Sequence, residues 1–415
     1  MPQQVIIVHV QLPDNPLDQM KRQVQELQSL VETAGGDVVC TLMQARPQID
    51  GRTVIGKGKL KALKDLVGSL EADLVVFYQE LTHTQNRNLQ EALEVGVIDR
   101  VQLILDIFAQ RAQSKEGKLQ VALAQSQYLL PRLAGQGKSL SRLGGGIGSR
   151  GPGETQLEQD RRFLRKKIQK IKQDLKQDLK QVEKHRQVAR KNRTSSFVFR
   201  VGLMGYTNAG KSTLLTGLTS ADTYQADQLF ATLTPLTRHF QFSNQCLVSV
   251  TDTVGFIQDL PPLVIDAFHS TLEESRQVDL LLIVVDSSSP YAKEQEEVVN
   301  QLLIDLHMQE IPRLYLYNKT DCLPISQEVP LTYSRPFLKL SAKSKSDIER
   351  LKEAIADQIK RAYTPFSGWV APEELSSWLK CRSSLYLESV HFDQGHNAYR
   401  LKGYRPPTFQ LPRDF

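Results

Sequence analysis

Residues 197–220 read FVFRVGLMGYTNAGKSTLLTGLTS, and their pattern sets the architecture. An apolar run closes on Gly205, as a buried strand does, and LLTGLTS can open a helix. Between them, Gly205-Tyr-Thr-Asn-Ala-Gly210-Lys211-Ser212 fits GxxxxGK[ST]. Such a turn lets backbone N–H groups converge on phosphate oxygens, and the helix N-terminus adds partial positive charge. Lys211 is placed to reach the β- and γ-phosphates and the Ser212 hydroxyl to ligate Mg²⁺, with Asn208, Ala209 and Thr213 completing the candidate loop. A strand that feeds a phosphate loop and then a helix belongs to an α/β fold with a parallel sheet and flanking helices.

Reading toward the C-terminus, CLVSVTDTVG, DLLLIVVDSS and RLYLYNKTD are further strand candidates. Each ends in a polar or glycine-rich cluster, the arrangement that puts ligands at the carboxyl edge of a parallel sheet. In Asp252-Thr-Val-Gly255 the carboxylate can hold the Mg²⁺ shell and the glycine N–H can sense a γ-phosphate. Asn318-Lys319-Thr-Asp321 and Ser341-Ala342-Lys343 follow at later strand ends. Asp321 carries the base specificity: a carboxylate accepts from guanine N1–H and N2–H₂, whereas adenine presents an unprotonated N1 and leaves the charge unpaired. The Ala342 N–H can donate to guanine O6. Four motifs in this order describe a GTP site.

Between the loop and Asp252 lies LFATLTP, residues 229–235, where a threonine is expected to complete Mg²⁺ coordination when the γ-phosphate is present. Thr232 is the first choice and Thr234 the second. Lys211, Thr232 and Gly255 are the residues expected to carry catalysis. Phe256 follows Gly255, and a phenyl ring cannot orient or deprotonate water. Hydrolysis by the chain alone is therefore expected on the order of 10⁻³ s⁻¹ or below, with activation from outside. Asn208 either braces the loop by a hydrogen bond or helps hold a monovalent cation such as K⁺; both readings stay open.

Upstream, Val5–Val10, Val38–Leu42 and Leu74–Tyr78 read as short buried strands, and residues 17–34, 58–72 and 84–95 carry apolar residues at helical spacing. This implies a small parallel α/β domain without a second nucleotide motif. From Leu103 the period is purely helical up to Pro131, which is expected to end the helix before it. LGGGIGSRGPGETQ, residues 143–156, is glycine-rich; its formal GxGxxG lacks a preceding strand and is discounted. Leu164, Ile168, Ile171, Leu175 and Val182 then form a narrow seam suited to one partner helix. The reading is an antiparallel hairpin with a glycine tip, closed by a Thr194-Ser195-Ser196 linker. The expected domains are 1–102 (α/β), 103–193 (hairpin, tip 132–156), 197–364 (nucleotide domain) and 365–415 (a small extension with strands near 384–392 and 398–402).

The 415 residues carry a net charge of +6, but residues 157–193 alone carry 14 basic and 5 acidic side chains, which leaves the rest of the chain at −3. One basic segment on a mildly acidic protein points to a polyanion partner. With 40% hydrophobic residues, wholesale disorder is excluded. The longest apolar run, Leu280–Val285, is far too short for a membrane span, and no secretory signal is legible. Cys40, Cys246, Cys322 and Cys381 show no CxxC spacing, which favours free thiols and a cytoplasmic setting.

At IGKGK (55–59), RNLQEAL (87–93), LILDIFAQRA (103–112), GGGIGSRGPGETQLE (144–158), the phosphate loop, LFATLTPLTR (229–238), DTVGFIQDLP (252–261) and TLEE (271–274), the chain resembles the HflX family of ribosome-associated GTPases. That resemblance implies GTP-dependent binding to the large (50S) ribosomal subunit and splitting or rescue of stalled ribosomes. It also implies a hairpin tip that reaches rRNA near the peptidyl-transferase centre, with Arg142, Arg150, Arg161 and Arg162 as candidate contacts. A monomer is expected, with no DNA partner. Two alternatives stand beside this reading: a GTP-gated RNA-binding module with little turnover, and a ribosome-assembly GTPase.

Overall fold

Val5, Ile6, Ile7 and Val8 are all buried, so the first strand must be covered on both faces. The computed structural model describes residues 2–112, 114–132, 161–178, 198–219, 236–252, 255, 278–323, 335–407 and 409. In it β1 (Gln3–Gln11) is followed by α1 (Leu17–Thr33), β2 (Gly36–Ala45), α2 (Lys57–Ser69), β3 (Leu74–Phe77), α3 (His83–Leu93) and β4 (Gly96–Asp99). The strands pair in the order β2-β1-β3-β4, all parallel. Ile6, Val8 and Val10 pack with Leu63 and Val67 of α2 and Leu89 and Leu93 of α3. The other face is left to α1 and to α4 (Arg100–Arg111). The order reverses between β1 and β3, where doubly wound sheets take ligands. Here the Gln79 amide bridges those strand ends, accepting from Val10 N–H (3.0 Å) and donating to the Val10 carbonyl (2.7 Å).

The helical period over residues 103–130 is broken into α4 and α5 (Lys115–Arg132). Ala112 turns extended at ψ 112°, and the Ser114 hydroxyl accepts from Gly117 N–H at 2.9 Å, an N-cap that restarts the helix. Pro131, expected to end the helix, instead lies in its last turn. The proline forfeits one backbone bond there, but Arg132 beyond it is pinned to Asp99 (2.8 Å) and to the Leu81 carbonyl (2.7 Å). Asp99 is fully buried and also accepts from Tyr128 Oη (2.5 Å), Leu81 N–H (2.9 Å) and Gln102 N–H (2.9 Å). One carboxylate therefore fixes where α5 leaves the sheet. Asp99→Asn keeps the volume, removes the charge facing Arg132 and is expected to cost about 3 kcal/mol. Urea unfolding of the variant checks this, and an unchanged midpoint would sink it.

A second helix spans 161–178. Its last residue meets the start of α5: Lys115 Nζ lies 2.6 Å from Asp178 Oδ1. Leu164, Ile168 and Ile171 are buried, whereas Arg162, Arg165, Lys166, Lys167, Lys170, Lys172 and Lys176 are exposed. The seam and the cationic face thus share one helix. The glycine stretch 143–156 with Arg142 and Arg150, Val182, and the 194–196 linker lie outside the described residues.

From residue 198 onward the described chain forms a second unit. β5 (Phe199–Gly205) leads into the helix Lys211–Thr219, and β6 (Leu236–Gln241), β7 (Leu247–Asp252), β8 (Leu280–Asp286), β9 (Arg313–Asn318) and β10 (Phe337–Lys339) follow. The sheet order is β10-β9-β8-β5-β7-β6, parallel except for β6. Val201 and Leu203 pack with Leu214 and Leu218 of the first helix and with Leu351 and Ile355 of the helix Lys345–Ala362. Beyond it, β11 (Thr364–Val370), β12 (Tyr386–Asp393) and β13 (Ala398–Arg405) form an antiparallel sheet in the order β11-β13-β12. Two of its strands match the expected ones and β11 is additional. The Asn244 amide donates to the Leu387 carbonyl (2.9 Å), attaching this small sheet to the larger one.

Candidate functional site

β5 is central and buried, so Gly205 emerges from the middle of the carboxyl edge. A Cβ on Gly205 would overlap the Val284 carbonyl of β8, which is why the turn begins with glycine. Asn208 (φ 59°) and Gly210 (φ 95°) adopt left-handed conformations that curl the loop. Ala209 is buried and Thr213 half-buried. Lys211 is the first residue of its helix and is buried. Its ammonium donates back to the Gly205 (3.1 Å) and Tyr206 (2.8 Å) carbonyls. Burial lowers its pKa to about 8, with Asp252 opposing the shift.

Asp252 ends β7, fully buried, and accepts from the Ser212 hydroxyl at 2.9 Å. A hydroxyl and a carboxylate in hydrogen-bond contact form a hard-oxygen pair, the donor set suited to Mg²⁺ that keeps phosphate and water as its other ligands. Among the described residues there is no group of three or more His, Cys, Asp or Glu that could hold a metal ion. Gly255 closes on the loop: a Cβ there would lie 3.0 Å from Lys211 Nζ and 2.9 Å from the Thr207 methyl.

Asn318, at the end of β9, joins three segments. Its Nδ2 donates to the Ala209 carbonyl (2.8 Å) and its Oδ1 accepts from Ala342 N–H (2.8 Å). Its own carbonyl accepts from both Ser287 N–H (3.0 Å) and the Ser287 hydroxyl. The Ala342 amide, read as facing guanine O6, is thus engaged by Asn318 in this structure. Lys319 is left-handed (φ 63°) and pairs with Asp286 at 2.7 Å. Asp321 is exposed, and the Ser341 hydroxyl holds its carboxyl below the usual range. The Ser341 hydroxyl also accepts from Lys343 N–H (3.3 Å), while Ser341 N–H donates to Asp347 (2.9 Å).

The fold thus brings residues 205–213, 252, 255, 318–321 and 341–343 to one sheet edge. Thr232, Thr234, Thr253, Val254 and Phe256 lie outside the described residues. Sequence reasoning missed Ser287, Asp286, Asp347 and Thr207. Asp286 ends β8 and Ser287 follows it in DSSS, where no spacing rule marks them, and their partners become apparent only when β8 and β9 are paired.

Family models match three stretches of the chain. Residues 21–109 match the GTP-binding GTPase N-terminal family, 111–193 the GTP-binding GTPase middle region, and 200–319 the 50S ribosome-binding GTPase family. GTPase HflX of Alkalihalophilus pseudofirmus is 44% identical over 93% of this chain and 90% of its own length. The chain belongs to the HflX family of GTPases. GTPase HflX of Caldanaerobacter subterraneus subsp. tengcongensis is 50% identical over 81% of this chain and 77% of its own, and that of Escherichia coli 40% over 90% and 86%. A solved GTP-binding protein of Sulfolobus solfataricus in complex with GDP aligns at 24% identity and a TM-score of 0.47, covering 86% of this chain and 98% of its own. HflX membership makes the chain a GTPase. Among the described residues no helix is long and apolar enough to cross a membrane.

Proposed function

We propose that this GTPase binds the large ribosomal subunit in its GTP state and acts in splitting or rescuing stalled ribosomes, in the cytoplasm and as a monomer. The observation that carries the reading is the helix 161–178, whose narrow seam is buried while its Lys and Arg face stays in solvent. Those cations offer rRNA phosphates a row of partners and make binding salt-dependent. Phe163, 69% exposed between Arg162 and Leu164, gives an unpaired base something to stack on. The match of residues 200–319 to a 50S ribosome-binding GTPase family supports the same partner.

In this reading Lys211 holds the β- and γ-phosphates, Ser212 and Asp252 would hold Mg²⁺ with Thr232, and the Gly255 N–H senses the γ-phosphate. Bound there, Mg²⁺ supplies charge neutralisation to the phosphates. Asp321 holds guanine, with Asn318 and residues 341–343 shaping the base pocket. Asn208 is the residue that would help hold K⁺.

Pelleting with separated subunits, in GTP-analogue and GDP states, tests the proposal. Charge reversal of Arg162, Arg165, Lys166, Lys167 and Lys170 to Glu is expected to weaken subunit binding by about a hundredfold or more near 0.1 M salt and to flatten its salt dependence. GTP affinity is expected to stay within a factor of about two, because none of these exposed side chains belongs to the phosphate loop or to the strands that bear it, and exposed charges contribute little in salt. If subunit binding survives the reversal, or ignores which guanine nucleotide is present, the proposal fails.

A further inference from the structure

Thr207 is the third residue of the phosphate loop and is 7% exposed. Its hydroxyl oxygen is buried and has no hydrogen-bond partner among the described residues. A hydroxyl shut away from water without a partner is unfavourable, and valine would fill the same volume without that cost. The side chain sits where the loop meets Gly255. A Cβ on Gly255 would lie 2.9 Å from the Thr207 methyl, 3.1 Å from its Cα and 3.0 Å from Lys211 Nζ. Thr207, Gly255 and the lysine ammonium therefore border one point, while Ser212 and Asp252 are paired with each other.

We propose that the Thr207 hydroxyl donates a hydrogen bond to the terminal phosphoryl group of bound GTP and so sets the preference for triphosphate over diphosphate. The contact satisfies the buried hydroxyl, and it places a neutral donor beside the lysine where terminal charge accumulates. The methyl group, held against Gly255, fixes the side chain's rotamer. This rests on the placement of the triphosphate between Lys211 and Gly255 given above.

Thr207→Val and Thr207→Ser test it by calorimetry with a non-hydrolysable GTP analogue and with GDP. The valine variant is expected to lose about ten- to hundredfold in affinity for the analogue, with GDP affinity changed less than about twofold. Serine keeps the donor and is expected to stay near wild type. The nucleotide-free valine variant is expected to melt at the same temperature or higher, whereas a merely structural hydroxyl would lower it. Equal losses for both nucleotides, no loss for either, or a fall in kcat with analogue affinity unchanged would each overturn the assignment. Lys211→Ala serves as the control: if it binds the analogue as tightly as wild type, the placement of the phosphates is at fault and not the role of Thr207.

Discussion

Lys211→Ala is expected to weaken GTP binding by at least about a hundredfold, because each charge-assisted bond from the ammonium to phosphate contributes about 1.5–3 kcal/mol. Turnover is expected to fall further, since the same charge faces the developing negative charge of the transition state. RNA binding through the helix 161–178 is expected to persist. A pH series adds a signature that simple misfolding would not give. Burial, the larger influence, lowers the Lys211 ammonium from 10.5 to about 8 although Asp252 opposes it. The folded, nucleotide-free chain therefore binds fewer protons than the unfolded one between those values, and it gains stability as pH rises through that window. Phosphate affinity moves the other way and is expected to decline above about pH 8 as the ammonium deprotonates. In Lys211→Ala this decline disappears. Calorimetric titration from pH 7 to 9 checks both parts, and an alanine variant with wild-type affinity would refute them.

Asn318→Ala is expected to have the second largest effect. The side chain is 1% exposed and ties the Ala209 carbonyl to the Ala342 amide, so its removal leaves one buried and one half-buried backbone group without these partners. At about 1–3 kcal/mol for each such group, a stability loss of about 2–4 kcal/mol is expected, with GTP affinity reduced more than about tenfold. Asn318→Asp separates the two bonds. Its carboxylate still accepts from Ala342 but sets a second oxygen against the Ala209 carbonyl, so the phosphate loop loosens more than the 341–343 segment. Amide hydrogen exchange resolves the difference, with Leu214 N–H, which bonds the Gly210 carbonyl next to Ala209, reporting on the loop. Equal protection in both variants and wild type would remove Asn318 from this role.

Much of the larger fold is legible because a buried parallel sheet writes itself as apolar runs. Leu280–Val285 is apolar throughout and proves buried on both faces, as β8 at the centre of the sheet requires. The N-terminal strands are legible for the same reason. β4 is less so: GVID is four residues long, and its own last residue caps the next helix, so strand and helix share a boundary. The break between α4 and α5 escapes a periodicity count because the apolar spacing continues across it. The cue lay in Ser114, a capping residue, and not in the spacing.

The sequence alone determined the family and the presence of a phosphate loop, because a backbone turned around phosphate tolerates few residue types. Gly205 and Gly210 are dictated by clash and by a positive φ that most side chains cannot adopt. Only the tertiary structure decided which distant groups meet: Asn318 with Ala209 and Ala342, Asp99 with Tyr128 and Arg132, and the Thr207 methyl with Gly255. The reason is physical. A local motif is fixed by the torsions of adjacent residues, whereas a buried polar contact depends on strand pairing that brings together segments as much as 109 residues apart, and no local pattern encodes that pairing.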